Sequence, residues 1–323
     1  LIMMSHVGTP VNFLSDIQPS EKSWDTHRAE AESVRLLYSL STEFTKYASR
    51  IYDCSQILKF APTPDKLVLK HAFFCRVRYC PVCQWRRSLL WRAVMFQQLP
   101  AIKEKYPSYR WVFLTLTVKN PPVTELRDTL KAMNSAWQRL AQTKRFKGVV
   151  KGFIRTTEVT RGKDGDMMAH PHFHALLLVD SSYFARNYIK QLEWVEMWQK
   201  ALRVDYAPSV NVKAVKPPKK GEKDNLDKAI CETLKYSVKP SDIAKDDDGG
   251  EWLHEMTKQT LNMRFIATGG ILKGVLKPDE QVTQQEMLTP TGEDEAPTEQ
   301  KRIGFRFYPH HGRYVFSPAH TNF

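Results

Sequence analysis

The sequence predicts an α+β fold in which helices flank a central antiparallel sheet and a cysteine-rich segment precedes it. Residues 110–119 and 170–179 are apolar or β-branched almost throughout, which is typical of strands at the centre of a sheet. The order strand, helix, hairpin, helix, strand indicates that the sheet is antiparallel. Ahead of it, Cys80-Pro81-Val82-Cys83 lies near two further cysteines, in a spacing typical of zinc sites.

The composition indicates a globular, basic protein that binds a polyanion. Its 323 residues suffice for one large or two small domains, each with its own core. The formal charge of +13 favours a nucleic acid or an acidic membrane surface as partner, and charge alone does not separate the two. The aromatic content of 11% would allow stacking on unpaired bases.

The hydropathy of the chain gives no sign of membrane insertion. No apolar run approaches the roughly 18 residues that a membrane-spanning helix needs. The apolar start, residues 1–4, is too short for the core of a signal peptide. We therefore expect a soluble, cytoplasmic protein without a membrane partner.

The first part of the chain is expected to hold an arm, a helix and a metal site. Residues 1 to about 30 show little periodicity, whereas residues 29 to about 50 are rich in helix formers. Four cysteines could then bind one structural zinc, because four thiolates leave no open coordination position: Cys54, Cys75, Cys80 and Cys83. The alternatives are small buried hydrophobic side chains and, less readily, a redox dithiol.

Basic and aromatic residues next to the cysteines indicate a nucleic-acid contact. Arg86 and Arg87 lie in a stretch interleaved with tryptophan and tyrosine, a mixture that can grip phosphates and stack on bases. Some of these tryptophans must belong to the core of the helix that follows Cys83. We predict DNA contacts for the two arginines and for Arg155.

A hairpin is predicted over residues 152–179. Residues 152–160 form its first strand, and the glycine-containing turn at 162–165 reverses the chain. Antiparallel pairing about this turn brings Glu158 roughly opposite residues 170–172. The preceding helix, over residues 124–142, carries an apolar stripe that packs in the core.

His172 and His174 are the candidate ligands of a catalytic metal. Side chains alternate across a strand, so both imidazoles point to one face about 7 Å apart and could share a divalent ion. Glu158 is the third candidate ligand. His170, which alternation places on the same strand face as the other two histidines, is the reserve ligand. The alternative is a half-buried strand whose histidines only satisfy hydrogen bonds.

The remaining segments complete the sheet and add a tail. We predict helices over residues 183–201, 224–238 and 251–265. We also predict a strand over residues 210–215 and a turn at the two glycines 269–270. Residues 278–299 are polar and acidic and indicate a linker, and the aromatic, alternating residues 303–316 indicate a small hairpin. We predict three parts of the chain. Residues 1–100 form the arm, the helix and the cysteine segment, residues 101–277 form the main domain, and residues 278–323 form the linker and the tail.

Glu232 and Tyr236 stand four residues apart on the helix predicted over 224–238, so they share one edge of it. On its own, a tyrosine next to a glutamate on a helix is usually a solvent-exposed pair without a specific function. Lys235 and Lys239 flank the tyrosine and could hold a phosphate or lower the tyrosine pKa. Ordinary solvated lysines are an equal alternative.

Three motifs now stand in an order that resembles one known family. They are Phe113-Leu114-Thr115-Leu116-Thr117, His172-Phe173-His174 with its apolar tail, and Glu232-x3-Tyr236-Ser237-Val238-Lys239. Over roughly residues 20–275 the chain resembles the rolling-circle replication initiators of small bacterial plasmids, a branch of the HUH (histidine-hydrophobic-histidine) endonucleases. Within that branch it looks most like the subgroup with one tyrosine and a glutamate four residues before it. The resemblance implies the HUH fold, which is RRM-like or ferredoxin-like, and a cysteine-rich segment is familiar in the subgroup.

The resemblance also implies the chemistry of an endonuclease that nicks one DNA strand at the plasmid origin. Tyr236 would keep the 5′-phosphate as a phosphotyrosine and leave a 3′-hydroxyl that primes synthesis. The ion at the histidine pair would be Mn²⁺ or Mg²⁺, with zinc left open. Glu232 would activate water for a second cleavage that ends replication. If Tyr236 is not the nucleophile, Tyr183 and Tyr188 are the next candidates.

The expected partners are plasmid origin DNA, single-stranded at the nick, and the host helicase and polymerase. One rival function is that of a single-strand transposase or relaxase of the same superfamily. Another is that of a non-catalytic, zinc-stabilised DNA-binding regulator, which would leave the histidines, the glutamates and the tyrosine without a role. The sequence leaves the origin sequence and the oligomeric state open.

Overall fold

The computed structural model describes residues 12–163, 167–216, 225–235, 238, 240–243, 250–288 and 302–321. Tyr236 and Lys239 of the predicted site lie outside these residues. The helices are α1 (Leu14–Ile17), α2 (Lys22–Ser39), α3 (Thr45–Asp53), α4 (Pro81–Lys105), α5 (Leu126–Gln142), α6 (Lys144–Val149), α7 (Gln191–Leu202), α8 (Asn225–Thr233), α9 (Pro240–Ile243), α10 (Glu251–Thr260) and α11 (Gln284–Leu288). The strands are β1 (Ile57–Pro62), β2 (Leu67–Ala72), β3 (Arg110–Thr117), β4 (Val150–Arg161), β5 (Ala169–Val179), β6 (Val210–Ala214), β7 (Ile266–Gly270), β8 (Ile303–Tyr308) and β9 (Arg313–Phe316).

The chain divides into two units, each with its own antiparallel sheet. The first unit comprises Leu1–Arg86 with Thr283–Phe323, and the second comprises Arg87–Val282, so the division falls within α4. The first unit has the strand order β2-β1-β8-β9, and the second has β6-β3-β5-β4-β7. The predicted α+β class is confirmed. The domain boundaries predicted near residues 100 and 278 stay a prediction.

Strand β5 is buried on both faces because helices lie on each side of the second unit's sheet. On one face, Leu176 belongs to a core cluster with Ile230 of α8. On the other face, the Phe173 ring packs against Trp137 of α5 and Trp198 of α7. Burial on both sides explains why this strand has a continuous apolar sequence.

The predicted hairpin and its register are confirmed. Strands β4 and β5 pair antiparallel, with Glu158 directly opposite His172. Strand β3 pairs with the other edge of β5 and places Thr115 opposite His174. The strands predicted over 110–119, 152–160, 170–179 and 210–215 are all present.

The N-terminal prediction needs correction. Residues 1–11 of the expected arm lie outside the described residues; the rest of it is helical in α1 and again from the start of α2. The single helix expected over 29–50 is two helices, α2 and α3. Between them the buried Phe44 packs against Tyr38 and Tyr47. This aromatic cluster turns the chain at a point where the composition still favours a helix.

Two further helices have different bounds from those predicted. The helix expected from residue 183 begins at Gln191, because Asp180 accepts a hydrogen bond from the backbone N–H of Ser182 and caps a short 3₁₀ turn. The helix expected over 224–238 is α8, which ends at Thr233. Thr156 donates to the carbonyl of Thr233, and Ser88 donates to that of the next residue, so hydroxyl groups bond the carbonyls at this end of the helix. Tyr236 lies outside the described residues, so the one-edge relationship predicted for Glu232 and Tyr236 stays a prediction.

The glycines predicted as a turn instead end strand β7. A Cβ atom on Gly269 would lie 2.4 Å from the ring of Phe153, and one on Gly270 would lie 2.1 Å from the carbonyl oxygen of Lys151. Gly270 also has a φ of +60°. Residues without a side chain are needed for β7 to lie this close to β4.

The small sheet of the first unit was only half predicted. The C-terminal hairpin is confirmed as β8 and β9, and it pairs with β1. Strands β1 and β2 were not predicted, and a bulge between Lys59 and Phe60 interrupts their regular alternation. The described part of the segment expected to be a linker contains α11, where Met287 is buried, and residues 289–299 of that segment lie outside the described residues.

Candidate metal centres

The β4–β5 hairpin places Glu158, His172 and His174 on one face of the sheet. His172 is the cross-strand partner of Glu158, and His174 follows two residues later on the same face. Phe173 lies between them and points to the opposite face. The structure therefore brings together the three residues predicted as ligands of the catalytic metal.

One oxygen of Glu158 is the meeting point of the site. Its Oε2 atom lies 2.9 Å from His172 Nε2 and 2.8 Å from His174 Nε2. All three side chains are buried, and one ligand atom from each lies within 4.8 Å of the others. Two nitrogens and one carboxylate oxygen at this separation could hold a divalent ion.

The far sides of the imidazoles are fixed by hydrogen bonds. His174 Nδ1 lies 3.3 Å from the Thr115 hydroxyl, and His172 Nδ1 lies 3.2 Å from the carbonyl oxygen of His170. Such contacts hold a metal-binding histidine in the correct orientation and tautomer. Thr115 was not identified from the sequence as an orienting residue. It lies in the first of the three motifs and is the cross-strand partner of His174.

The reserve ligand, His170, contacts Asn120 and not the Glu158 carboxylate. Its Nδ1 atom lies 2.6 Å from the side-chain oxygen of Asn120. It is not part of the close group formed by Glu158 and the two downstream histidines.

The electrostatics favour the protonation states that a metal needs. Burial tends to raise the pKa of Glu158, but hydrogen bonds from His172 and His174 and the charge of Lys235 hold it well below its ordinary value. Burial lowers the pKa of His174 and outweighs the opposing hydrogen bond to Glu158. An ionised carboxylate beside a neutral imidazole is the donor state for a divalent cation.

Glu158 also has a polar atom without a partner. Its Oε1 atom is buried and has no hydrogen-bond partner among the described residues. A buried carboxylate oxygen without a donor is costly unless a cation is bound nearby. The residues present therefore fit a metal ion.

Lys235 links Glu232 to this site. Its Nζ atom lies 2.9 Å from Glu158 Oε2 and 2.6 Å from Glu232 Oε1. The ion pair with Glu232 and the charge of Glu158 raise the Lys235 pKa although burial opposes the shift. The sequence indicated phosphate contact for Lys235 and gave no signal for its pairing with Glu158. The neighbouring Tyr236 is the nucleophile expected from the sequence and lies outside the described residues.

A second group of ligand atoms is formed by the four predicted cysteines. They come from the end of α3, the segment after β2 and the start of α4, and all four are buried: Cys54, Cys75, Cys80 and Cys83. Cys83 Sγ lies 3.6 Å from both Cys54 Sγ and Cys75 Sγ, and Cys80 Sγ lies 3.7 Å from Cys54 Sγ. Tetrahedral zinc with bonds of about 2.3 Å would separate its sulfurs by roughly 3.8 Å.

Backbone N–H groups point at these sulfurs. The N–H of Cys75 donates to Cys54 Sγ at 3.4 Å, and that of Arg76 donates to Cys83 Sγ at 3.3 Å. Burial raises the pKa of the Cys54 and Cys75 thiols when no cation is present. N–H donors around clustered sulfurs favour thiolates, so the donor set fits a metal ion.

The three arginines predicted to contact DNA are buried. Arg86 donates to the carbonyl oxygens of Met287 and Leu288. Arg155 donates to the Asn134 side chain at 2.7 Å, and its guanidinium lies 3.9 Å from the centre of the Phe173 ring. The third, Arg87, is 6% exposed. Burial leaves these guanidinium groups little access to a phosphate in this structure, and their DNA contacts stay a prediction.

The reserve tyrosines lie beyond the C-terminal end of β5, away from the metal ligands. Tyr183 is 1% exposed, and burial raises its pKa. Tyr188 is 51% exposed. His172 lies seven residues before the end of β5 at Val179, a distance of roughly 23 Å along an extended strand.

Within the part of the chain that the structure describes, no helix is both long and apolar enough to cross a membrane.

Comparison with known proteins identifies the family. Residues 66–315 match the family Rep_1, described as replication protein. "Protein rep" of Bacillus amyloliquefaciens is 36% identical over 252 residues, which cover 72% of this chain and 73% of that protein. "Protein rep" of Lactiplantibacillus plantarum is 36% identical over 249 residues, or 76% and 78% of the two chains. "Protein rep" of Lentilactobacillus hilgardii is 33% identical over 269 residues, or 82% and 85%.

No solved structure is significantly similar to the chain. The family match spans most of the sequence, and the relatives named above are similar over most of their own length. The chain therefore belongs to the Rep_1 replication protein family, the family of rolling-circle plasmid replication initiators that its three motifs resemble.

Proposed function

We propose that the chain is a metal-dependent single-strand DNA endonuclease that initiates and terminates rolling-circle plasmid replication through a covalent 5′-phosphotyrosine intermediate. The observation that carries the proposal is the convergence of Glu158, His172 and His174. Lys235, the residue before Tyr236, reaches the same carboxylate. Membership of a replication protein family supports plasmid origin DNA as the substrate.

The three converging side chains would hold Mn²⁺ or Mg²⁺. A divalent ion there would polarise a phosphoryl oxygen and orient the phosphate for displacement. Glu158 would contribute the negative charge, and the two imidazoles would contribute nitrogen ligands. The hydrogen bond to Thr115 keeps the His174 ring turned toward the site.

Tyr236 is the proposed nucleophile. Its phenolic oxygen forms a bond to phosphorus as the bond between phosphorus and the 3′-oxygen breaks, and that oxygen takes up a proton to become the 3′-hydroxyl. The phosphotyrosine stores the energy of the cleaved bond for later rejoining. Lys235 and Lys239 flank the tyrosine in sequence, and their charges would favour the phenolate and hold the phosphate.

Glu232 is the proposed base for the second cleavage. Its carboxylate is tied to the metal site through Lys235 and is about half exposed, so water has access to it. Taking a proton from that water would allow a second cut without a second tyrosine. The cut would end one round of replication.

The four clustered cysteines would bind one zinc ion as a structural site. Four thiolate ligands fill the tetrahedral coordination of zinc and leave no position for a substrate. The binding free energy would then stabilise the first unit. Expected partners remain the origin DNA and the host helicase and polymerase, in the cytoplasm.

A nicking assay tests the proposal against its rivals. His172→Ala should abolish Mn²⁺-dependent nicking of a single-stranded origin oligonucleotide, whereas His170→Ala, outside the ligand group, should retain most of it. Unchanged nicking by His172→Ala under controlled divalent ions would contradict the proposed metal site. No nicking by the wild-type protein would favour the non-catalytic regulator. A transposase or relaxase would share the chemistry, but the family match favours replication.

A further inference from the structure

We propose that the outer face of the first unit's sheet binds the phosphate backbone of double-stranded DNA. We name this surface the basic face and define it by Lys59, His71, Arg302, Arg306 and Tyr308. The proposal deepens the proposed function, on which it rests for the identity of the polyanion. It gives the chain a duplex-binding surface whose residues differ from those of the proposed nicking site.

Strand alternation separates the basic face from the core. Leu58 and Phe305 are cross-strand partners that are fully buried on the inner face. Their neighbours Lys59 and Arg306 therefore point outward. His71 is the cross-strand partner of Lys59, so it lies on the same outer surface.

The sheet contains no acidic residue to balance these cations. Its four strands have the sequences Ile-Leu-Lys-Phe-Ala-Pro, Leu-Val-Leu-Lys-His-Ala, Ile-Gly-Phe-Arg-Phe-Tyr and Arg-Tyr-Val-Phe. At the β9 edge, Arg313 is paired with Asp16 and Asp25, and it is therefore left out of the basic face.

Two cations of the basic face, Lys59 and Arg302, lie close enough to His71 to affect its pKa. Burial lowers the pKa of His71, and the charges of Lys59 and Arg302 lower it further. Lys59 and Arg302 therefore both lie near the His71 ring, which groups their charges on one part of the surface. A bound polyanion could contact both of them.

The surface fits duplex DNA better than a single strand. Single-strand binding relies on several aromatic side chains that stack on bases, whereas alternation places one described aromatic side chain, Tyr308, among the cations of this face. The guanidinium of Arg306 lies over that ring, 5.9 Å from its centre. Cations spread over an antiparallel sheet suit contacts to phosphates that do not depend on sequence.

Salt-dependent binding of a random duplex of about 30 base pairs tests the proposal. The test variant is Lys59→Gln with Arg306→Gln. The matched control is Lys22→Gln with Lys46→Gln, which removes two exposed helical charges from the same unit. Each lost phosphate contact reduces the slope of log affinity against log salt by about 1, so we expect a decrease of about 2 in the test variant and little change in the control. Thermal melting would establish that both variants are folded.

Several outcomes would overturn the proposal. An unchanged slope in the test variant would exclude the basic face as a binding surface. An equal decrease in the control would show that only net charge matters. A loss of binding confined to a 30-nucleotide single strand would assign the face to single-stranded DNA. Nicking of a single-stranded oligonucleotide should persist in the test variant, so failure of the nicking proposal would be seen separately.

Discussion

Lys235 donates to the same Glu158 oxygen that lies against both histidines. Its Nζ atom is 2.9 Å from Glu158 Oε2, close to the two imidazole contacts at 2.9 and 2.8 Å. A cation of the protein thus stands beside the carboxylate that would bind the metal. It joins the metal ligands to Glu232, and it precedes the proposed nucleophile in the chain.

This pairing predicts that Lys235 competes with the metal. Lys235→Met should raise Mn²⁺ affinity several-fold, because the ion would no longer displace an ammonium group from Glu158. Titration calorimetry would measure the change. Lys228→Met removes an exposed charge from the preceding helix, α8, and should leave the affinity nearly unchanged. Equal affinity in the Lys235 variant and the wild type would show that the lysine does not occupy the site.

The shifted pKa of His174 predicts a pH range for metal binding. Burial lowers it from the ordinary value of 6.5, so the imidazole should stay neutral somewhat below that pH. Mn²⁺ affinity should therefore stay nearly constant from pH 8 to about 6.5 and fall only at lower pH, where His174 becomes protonated. Because the folded-state pKa is lowered, the metal-free fold should also lose stability as the pH falls through this range. A Mn²⁺ affinity that already decreases between pH 8 and 7 would contradict the assignment.

The cysteine cluster predicts one zinc ion per chain. Cys83→Ser should lose the zinc and several kcal/mol of stability, since binding free energy is part of the folding free energy. Cys231→Ser is the control because this cysteine lies outside the cluster. Metal analysis and thermal melting would measure both effects. Zinc retained at full occupancy in Cys83→Ser would rule out the four-sulfur site.

Much of the proposed metal site was predictable because it depends on local periodicity. Alternation along one strand and the position of a turn sufficed to bring Glu158 opposite His172. Burial of Arg155 and Arg86 was not predictable, because only the packed structure places Phe173 beneath one and the carbonyl groups of α11 beside the other. The end of α8 likewise depends on hydroxyl groups from distant segments.

Glu232 is predicted to act after the first cut. Glu232→Gln should form the covalent adduct and nick the origin once, because the nucleophile is unchanged. Replication should then fail to terminate and give products longer than one plasmid unit, measured by gel electrophoresis of replication intermediates. Glu255→Gln, an acidic residue of α10, serves as the control. Products of normal length in Glu232→Gln would assign the second cleavage to another group.

The covalent link to Tyr236 is the most direct test of the central claim. The protein would be incubated with Mn²⁺ and a labelled single-stranded origin oligonucleotide, denatured, digested and analysed by mass spectrometry. We predict that a 5′-phosphonucleotide is attached to the peptide that contains Tyr236, and that Tyr236→Phe yields no adduct. An adduct of equal yield in Tyr236→Phe, or one mapped to Tyr188, would contradict the account.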